Sequence, residues 1–186
     1  MERTAGTASV EPGVVGAGRL SRVVRGLSLL FSGVFAGFLV CVLVLENSLR
    51  GFGASVYTQV RLVELDSLDR LASVTLIPAI VTTVVLAIWA RGNDRRVVLI
   101  AVALLVVVFA TTLAINLPIN SDQSAWSVLN PPADWAAVRD RWQLAHLIRT
   151  AAALLAFGTL IGSAVTRRAL PGPENSSRVL KVEARR

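Results

Sequence analysis

The chain has 186 residues, 54% of them apolar, and a net charge of +7, a composition too hydrophobic for an ordinary soluble domain. Basic residues flank the apolar stretches and do not line one face, so we expect an integral membrane protein with no nucleic-acid partner. A single cysteine and a single histidine exclude an internal disulfide and leave no ordinary structural zinc cluster, so we expect no metal or other cofactor.

The N-terminal third predicts a tail and a first transmembrane helix. Residues 1–18 lack the apolar periodicity needed for a packed core, so we expect a disordered tail. Three arginines precede residues 27–45, a charge-free apolar stretch. A signal peptide also begins with basic residues, but its apolar core is usually about 7–15 residues long and ends at small residues. A transmembrane helix is therefore the better interpretation.

Two further spans are predicted in the middle of the chain, at residues 72–90 and 97–117, joined by a basic turn at 91–96. Pro118 should end or bend the third helix. Before the second span, a segment with helical periodicity brings Glu64 onto a face with Tyr57 and Arg61. Either Glu64 belongs to a solvated helix extension, or it turns inward to pair with a guanidinium of the last helix.

The last helix should begin near Asp134 and run to Val165, with residues 144–165 crossing the membrane. A span starting only at Thr150 would have 16 residues and reach about 24 Å, short of the ~30 Å of hydrocarbon. We expect residues 169–186 to form a second disordered, basic tail that rests on anionic lipid. The predicted fold is all-α: residues 19–168 form a four-transmembrane-helix bundle with a long, outward-projecting last helix.

Two pairs of glycines have the small-xxx-small spacing that allows close helix contact, Gly33 with Gly37 and Gly158 with Gly162. Ordinary packing within the bundle, with the second pair facing the first helix, is one interpretation. Homo-oligomerisation through either pair is the other.

The distribution of basic residues predicts the orientation. The tails and the 91–96 turn hold 13 lysines and arginines, and the opposite side holds 6. By the positive-inside rule, both termini are cytoplasmic in a multi-pass protein of the cell membrane. The loop after the third helix and the start of the last helix therefore face outward.

One stripe of the last helix carries two indoles, two guanidiniums and the only imidazole of the chain: Trp135, Arg139, Trp142, His146 and Arg149. Their spacings of four and three residues place them within an arc of roughly 80°. Because ionisable groups are costly inside a membrane, His146 and Arg149 should point into the bundle, near Asn116 and the outer end of the second helix.

The Asn116-Leu117-Pro118-Ile119-Asn120 element, followed by this stripe, resembles the anthrone oxygenase-like family of small four-helix membrane proteins. The resemblance implies oxidation of an aromatic or quinone-like substrate by dioxygen without a cofactor. Such chemistry needs a base, cations that hold an anion, and a flat apolar pocket. His146 is then the candidate base, and Arg139 and Arg149 are the candidate cations.

The remaining candidate residues would bind the substrate. Trp135 and Trp142 would stack on a flat ring, and Asn116 and Asn120 would donate hydrogen bonds, with Glu64 facing them. Each residue also has a structural interpretation, the tryptophans as interface anchors and Arg149 as the partner of Glu64 or Asp66. The alternative function is a non-catalytic membrane protein that binds a lipid or quinone, or serves as a partner subunit.

Overall fold

The computed structural model describes the backbone of residues 12–169 and the side chains of residues 19–166. Five α-helices follow one another: α1 (Pro12–Ser48), α2 (Ala54–Trp89), α3 (Gly92–Thr111), α4 (Leu117–Ser124) and α5 (Trp135–Ala169). A 3-10 turn (Leu49–Gly51) follows α1, and a π-turn (Thr112–Asn116) joins α3 to α4. No strand occurs in the described part of the chain.

The helices give four segments that are long and apolar enough to cross a membrane: Arg19–Gly51, Ala54–Trp89, Gly92–Ser124 and Trp135–Thr166. The predicted all-α fold with four transmembrane helices is therefore confirmed, and the chain is a multi-pass membrane protein. The first helix begins at Pro12, inside the segment that the sequence assigned to the N-terminal tail. The rest of the two predicted tails, residues 1–11 and 170–186, lies outside the described residues.

Tight connections hold successive helices antiparallel. The 3-10 turn reverses the chain between α1 and α2, with Phe52 N–H donating to Leu49 O at 3.0 Å. Between α2 and α3 only two residues separate the helices, and Gly92 adopts φ +58 there. That left-handed conformation is costly for a residue with a Cβ, which explains glycine at this turn. The longer connection, residues 125–134, leads to α5.

The interior of the bundle is built largely from small and branched apolar residues. Alanines at 36, 79, 101, 153 and 156 are buried to 1% exposure or less, alongside larger side chains such as Leu39, Leu105 and Leu160. Water does not drive helices together inside lipid, so close van der Waals packing of small residues has to do so. The exposed faces carry leucine, isoleucine and valine, as lipid contact requires.

The glycine pairs behave differently from one another. A Cβ built on Gly33 would lie 2.9 Å from the ring of Phe157, so Gly33 admits that ring between α1 and α5. A Cβ on Gly37, Gly158 or Gly162 would meet nothing within 4 Å. The expectation that Gly158 and Gly162 face α1 is therefore wrong, because α5 presents Phe157 to α1 instead. Both positions lie on the exposed face of α5, and oligomerisation through them stays a prediction.

Pro118 does not end the third span. Proline lacks an N–H and its ring conflicts with the carbonyl four residues earlier, so it normally interrupts a helix. Here the helix widens into the π-turn just before Pro118 and then continues to Ser124 as α4. Such π-bulges often occur at functional sites, and this one carries Thr112 and Asn116 towards α5.

Candidate functional site

A cavity of about 290 Å³ lies inside one end of the bundle, between α1, α2, the third span and α5. Apolar side chains of α1 and α2, among them Phe35, Phe38 and Leu76, form much of its wall. Its polar lining comes from the buried residues Arg61, Glu64, Asn120, Trp142 and Arg149, the half-buried Thr112, and the exposed Asp69 and Ser73. The cavity is thus a largely apolar space with polar groups concentrated in one region.

Arg61 is the centre of the polar region. Its side chain is buried, and its guanidinium donates to Gln123 Oε1 at 2.9 Å, Glu64 Oε2 at 2.5 Å and Asn120 Oδ1 at 2.7 Å. A carboxylate oxygen of Glu46, at the end of α1, lies 3.4 Å from the same guanidinium. One cation from α2 therefore connects α1 with the end of the third span.

Two carboxylate oxygens in this network lack a hydrogen-bond partner. Glu46 Oε1 and Glu64 Oε1 are both fully enclosed and accept no hydrogen bond. An unsatisfied buried acceptor costs about 1–3 kcal/mol, more when it is charged. Glu64 also lines the cavity, so its side chain lies beside any molecule bound there, although Oε1 itself is enclosed.

Trp142 forms the aromatic surface of the cavity. Its indole N–H donates to Asn120 Oδ1 at 2.7 Å, which fixes the ring plane. The Arg61 guanidinium carbon lies 4.0 Å from the ring centroid and that of Arg149 lies 5.7 Å from it. Both distances are within the range of cation–π attraction. Two cations therefore flank one indole at the cavity wall.

Arg149 is held by α5 itself and by the π-turn. Its Nε donates to His146 Nδ1 at 3.0 Å, one turn earlier, and its Nη1 lies 3.5 Å from Thr112 Oγ1. The ion pairs among the described side chains do not include Arg149. Its positive charge therefore faces the cavity without a carboxylate bound to it.

His146 is packed behind the cavity wall. It is fully buried, its ring stacks on Trp142 with centroids 4.8 Å apart, and it does not line the cavity. Nδ1 accepts from Arg149, so Nε2 carries the proton and donates to Leu39 O at 3.0 Å. Both ring nitrogens are thus engaged, and the imidazole links Arg149 to α1.

Asn116 is also enclosed behind the wall. Its Nδ2 approaches the backbone carbonyl of Trp142 at 3.4 Å, and its Oδ1 is buried without a partner. Because it belongs to the π-turn, it binds the backbone of α5 and leaves the cavity to Asn120, four residues later. The two asparagines predicted together therefore have separate surroundings.

Trp135 and Arg139 lie at the start of α5, away from the cavity. Arg139 packs over the Trp135 ring at 4.9 Å and binds Asp140 at 3.0 Å, while Trp135 contacts the ring of Tyr57 at 5.6 Å. Of the eight side chains predicted from the sequence, four line the cavity: Glu64, Asn120, Trp142 and Arg149.

The predicted partner of Glu64 needs correction. Glu64 does turn inward, with 5% exposure, but it binds Arg61 of its own helix and not a guanidinium of the last helix. Arg149 likewise forms no ion pair with Glu64 or Asp66. The physical reason is proximity: Arg61 is three residues before Glu64 and reaches it without crossing the bundle.

Sequence reasoning missed Arg61, Asp69 and Gln123 as members of the site. Asp69 accepts from Asn120 Nδ2 at 3.3 Å, and Gln123 donates to the Tyr57 hydroxyl at 3.3 Å. The sequence signal for Arg61 is the helical face that it shares with Tyr57 and Glu64.

A larger, more open groove of about 670 Å³ runs between the end of α1 and the start of α5. Its charged groups are already paired, Arg50 with Asp140 at 3.0 Å and Glu46 with Gln143 at 2.9 Å. We place the candidate site in the smaller cavity because its cations are buried and one of them lacks a carboxylate partner. Within residues 12–169, no three His, Cys, Asp or Glu side chains cluster so as to hold a metal ion.

The geometry suits a flat, anionic or acidic molecule. Two buried guanidiniums can stabilise a developing negative charge far better than they would in water. The apolar wall, which includes Phe35, Phe38 and Phe109, can contact an aromatic ring. The Glu64 carboxylate beside the cavity can accept a proton.

A comparison with family models gives a match that covers part of the chain. A search of the curated proteins finds no match, and neither does a search of the solved structures. The family model described as anthrone oxygenase matches residues 69–159. That segment contains the π-turn, α4 and most of α5, with Asp69, Asn120, Trp142 and Arg149 of the cavity. The resemblance predicted from the sequence is confirmed over this segment: from Asp69, near the middle of α2, to Thr159, the chain is similar to the anthrone oxygenase family.

Proposed function

We propose that the protein is a membrane-embedded oxygenase that oxidises a phenolic, anthrone-like aromatic with dioxygen in the cavity beside Trp142. The observation that carries the proposal is the placement of two buried guanidiniums against one indole. Arg61 and Arg149 lie 4.0 Å and 5.7 Å from that ring and also line the cavity. The match to the anthrone oxygenase family supports the same class of reaction.

The substrate would lie with its rings against the apolar wall and with its oxygen towards Arg149. A cavity of about 290 Å³ is at the small end of the ~300–1,000 Å³ range of ligand pockets. It suits a compact fused-ring molecule better than a long chain. Dioxygen is apolar and small, so it can enter the same space from the membrane.

Glu64 is the base in this proposal, because its side chain lines the cavity and its carboxylate lies beside the Arg61 guanidinium. The sequence assigned that role to His146, and this assignment stays a prediction. We place His146 as a positioning residue, since its ring nitrogens are engaged by Arg149 and Leu39. The imidazole would fix the direction in which the guanidinium points.

The reaction balances without a further reductant. Glu64 takes a proton from the enol form of the anthrone, and the resulting anion is stabilised by the two guanidiniums. The anion gives two electrons to dioxygen and forms a carbon–oxygen bond, and with one proton the product is a hydroperoxide. Loss of water from that hydroperoxide leaves the quinone carbonyl. One dioxygen is consumed, and one quinone and one water are formed.

Oxygen uptake by the purified protein in lipid nanodiscs tests the proposal. We expect anthrone to be converted to anthraquinone, with one dioxygen consumed per quinone, faster than in protein-free nanodiscs. Arg149→Gln should lower the rate strongly, because it removes the cation closest to the developing anion. Removing one electrostatic stabiliser of this kind typically costs ~10²–10³-fold in rate.

Arg141→Gln is the matched control, since Arg141 is exposed on the same helix. It should leave the rate unchanged. If the unmodified protein is no faster than protein-free nanodiscs, the oxygenase proposal is overturned. The non-catalytic alternative, a membrane protein that binds a lipid or a quinone, would then be favoured.

A further inference from the structure

The cavity has a rim of side chains that face away from the bundle. They lie on two adjacent segments at four-residue spacing: Asp69, Ser73 and Ile77 on α2, and Phe109, Leu113 and Leu117 on the third span. We call these six residues the rim. All six are exposed although they line the cavity, with Ile77 at 48% and Leu113 at 49%. The remaining lining residues are mostly buried, so the cavity is open to the outside of the bundle at the rim.

The same cavity is closed towards the end of the bundle that carries the connections 49–53 and 125–134. Among the described residues, none of the connections 49–53 and 125–134 contributes to its lining. Between the cavity and those connections lie Tyr57 and Gln123, both buried to 1% exposure or less and joined to each other at 3.3 Å. Arg61 binds Gln123 and completes this polar layer.

The rim lies along the apolar part of its helices. Ile77 lies in the middle of the apolar run of α2, and Leu113 lies near the end of the apolar run of the third span. Both runs belong to segments that are apolar enough to cross a membrane. Only Asp69, at one end of the rim, is charged. The opening is therefore beside hydrocarbon, with a single carboxylate towards the polar boundary.

We infer that the cavity is filled sideways from the bilayer, between α2 and the third span, by a flat amphiphile dissolved in the membrane. The inference rests on the proposed function for the chemical class of the occupant, an aromatic with a phenolic or enolic oxygen. Its polar end passes the rim first and meets Arg61 and Arg149. Its apolar rings stay between Ile77 and Leu113.

Fluorescence quenching tests the opening without any assay of activity. A variant that retains only Trp142 is made by replacing Trp89, Trp126 and Trp135 with Phe, and its fold is checked by circular dichroism. It is reconstituted in bilayers whose lipids carry bromine on the acyl chains. A ligand-free cavity that opens to the bilayer admits a lipid chain, so Trp142 should be quenched although only 2% of its surface is exposed.

Three comparisons make the result specific. A variant retaining only Trp89, which is 45% exposed, shows that the brominated lipids quench an accessible indole. Ile77→Phe with Leu113→Phe fills the rim and should remove most of the quenching of Trp142. Val74→Phe with Val106→Phe adds the same rings at exposed positions outside the cavity and should change nothing.

A quenched Trp89 with an unquenched Trp142 overturns the lateral opening. So does quenching of Trp142 that the rim variant leaves unchanged, because the lipid chain would then arrive by another route. The occupant is tested by oxygen uptake at fixed total anthrone and increasing lipid. A substrate taken from the bilayer is diluted by added lipid, so the rate should fall.

The two proposals can fail separately. If Trp142 is quenched through the rim but anthrone is not oxidised, the opening stands, and both the proposed function and the amphiphile as occupant fail. If anthrone is oxidised but Trp142 is not quenched, the proposed function stands and the lateral route fails. A rate that does not change when lipid is added contradicts delivery from the bilayer.

Discussion

Arg61 is the residue on which the polar interior depends. It binds two carboxylates, an asparagine and a glutamine, and it packs on an indole. In the sequence it stands in a segment that alternates charged and apolar residues, as solvated helices often do. Whether such a residue is buried depends on which helices pack against it, and the local sequence does not predict this packing.

We expect Arg61→Met to destabilise the fold by about 3–5 kcal/mol, because Glu46 and Glu64 would be left as buried charges without a cation. Thermal unfolding in detergent, followed by circular dichroism, measures the effect. Arg70→Met is the control on the same helix, at an exposed position. If the two variants have the same melting temperature, the network around Arg61 contributes nothing measurable to stability.

His146 and Glu64 can be assigned by their amide variants. If Glu64 is the base, Glu64→Gln should lower oxygen uptake by ~10²–10⁴-fold. His146→Gln should retain most of the rate, because an amide can still accept from Arg149 and donate to the Leu39 carbonyl. His146→Ala, which can do neither, should lose more than His146→Gln. If His146→Gln instead lowers oxygen uptake by ~10²–10⁴-fold and Glu64→Gln has normal activity, the result would support His146 as the base, as predicted from the sequence.

At the scale of elements, hydrophobic length and charge spacing predicted the four membrane helices well. Each apolar run is long, and within these runs only the last carries a charged residue, Arg149, so few alternatives compete with a helix inside lipid. The stripe on α5 was predicted from spacing alone, and its Trp142 and Arg149 do meet at the cavity. Trp135 and Arg139 share that stripe, yet they lie nearer the start of α5, because spacing fixes direction around a helix but not depth along the bundle.

The π-turn could not be predicted in the same way. Pro118 indicates a disturbance, but the sequence does not say whether the helix stops, kinks or widens. The structure widens it at Thr112–Asn116, and the extra residue changes which side of the helix each later side chain faces. That is why Asn120 reaches the cavity while Asn116 contacts the backbone of α5.

Packing of α1 on α5 gives a prediction for glycine. Gly33→Ala places a Cβ 2.9 Å from the Phe157 ring, so either the ring or the helices must shift. Overpacking of this kind typically costs about 1–3 kcal/mol, and we expect a lower melting temperature in detergent. Gly37→Ala is matched in chemistry, and its Cβ meets nothing within 4 Å.

We expect Gly37→Ala to melt at or slightly above the unmodified protein, because alanine favours helix over glycine. Phe157→Leu should restore part of the stability lost in Gly33→Ala by making room for the methyl group. Equal melting of the two alanine variants would show that the Phe157 ring moves aside without cost.

For the whole molecule, the two ends of the bundle differ in chemistry. One end holds the cavity and the Arg61 network. At the other end Arg25 binds Asp94 at 2.8 Å, and Ser163 donates to the same carboxylate at 2.6 Å. The basic residues near the span ends are concentrated at this second end, so the positive-inside rule predicts that this end is cytoplasmic and that the cavity is near the outer surface.

Thiol labelling in intact cells tests this orientation. In a Cys41→Ser background, a cysteine is introduced at Ser124, beside the cavity end, or at Asn93, in the opposite turn, both of which are exposed. Asn93 is preferable to Gly92, whose positive φ disfavours a side chain. A membrane-impermeant maleimide should label Ser124→Cys in intact cells, whereas Asn93→Cys should react only after the membrane is opened. Labelling of Asn93→Cys alone in intact cells would show the opposite orientation, with the cavity near the cytoplasmic surface.

The lateral opening predicts access from the bilayer in either orientation. This experiment therefore decides only which aqueous compartment lies nearest the polar end of the cavity.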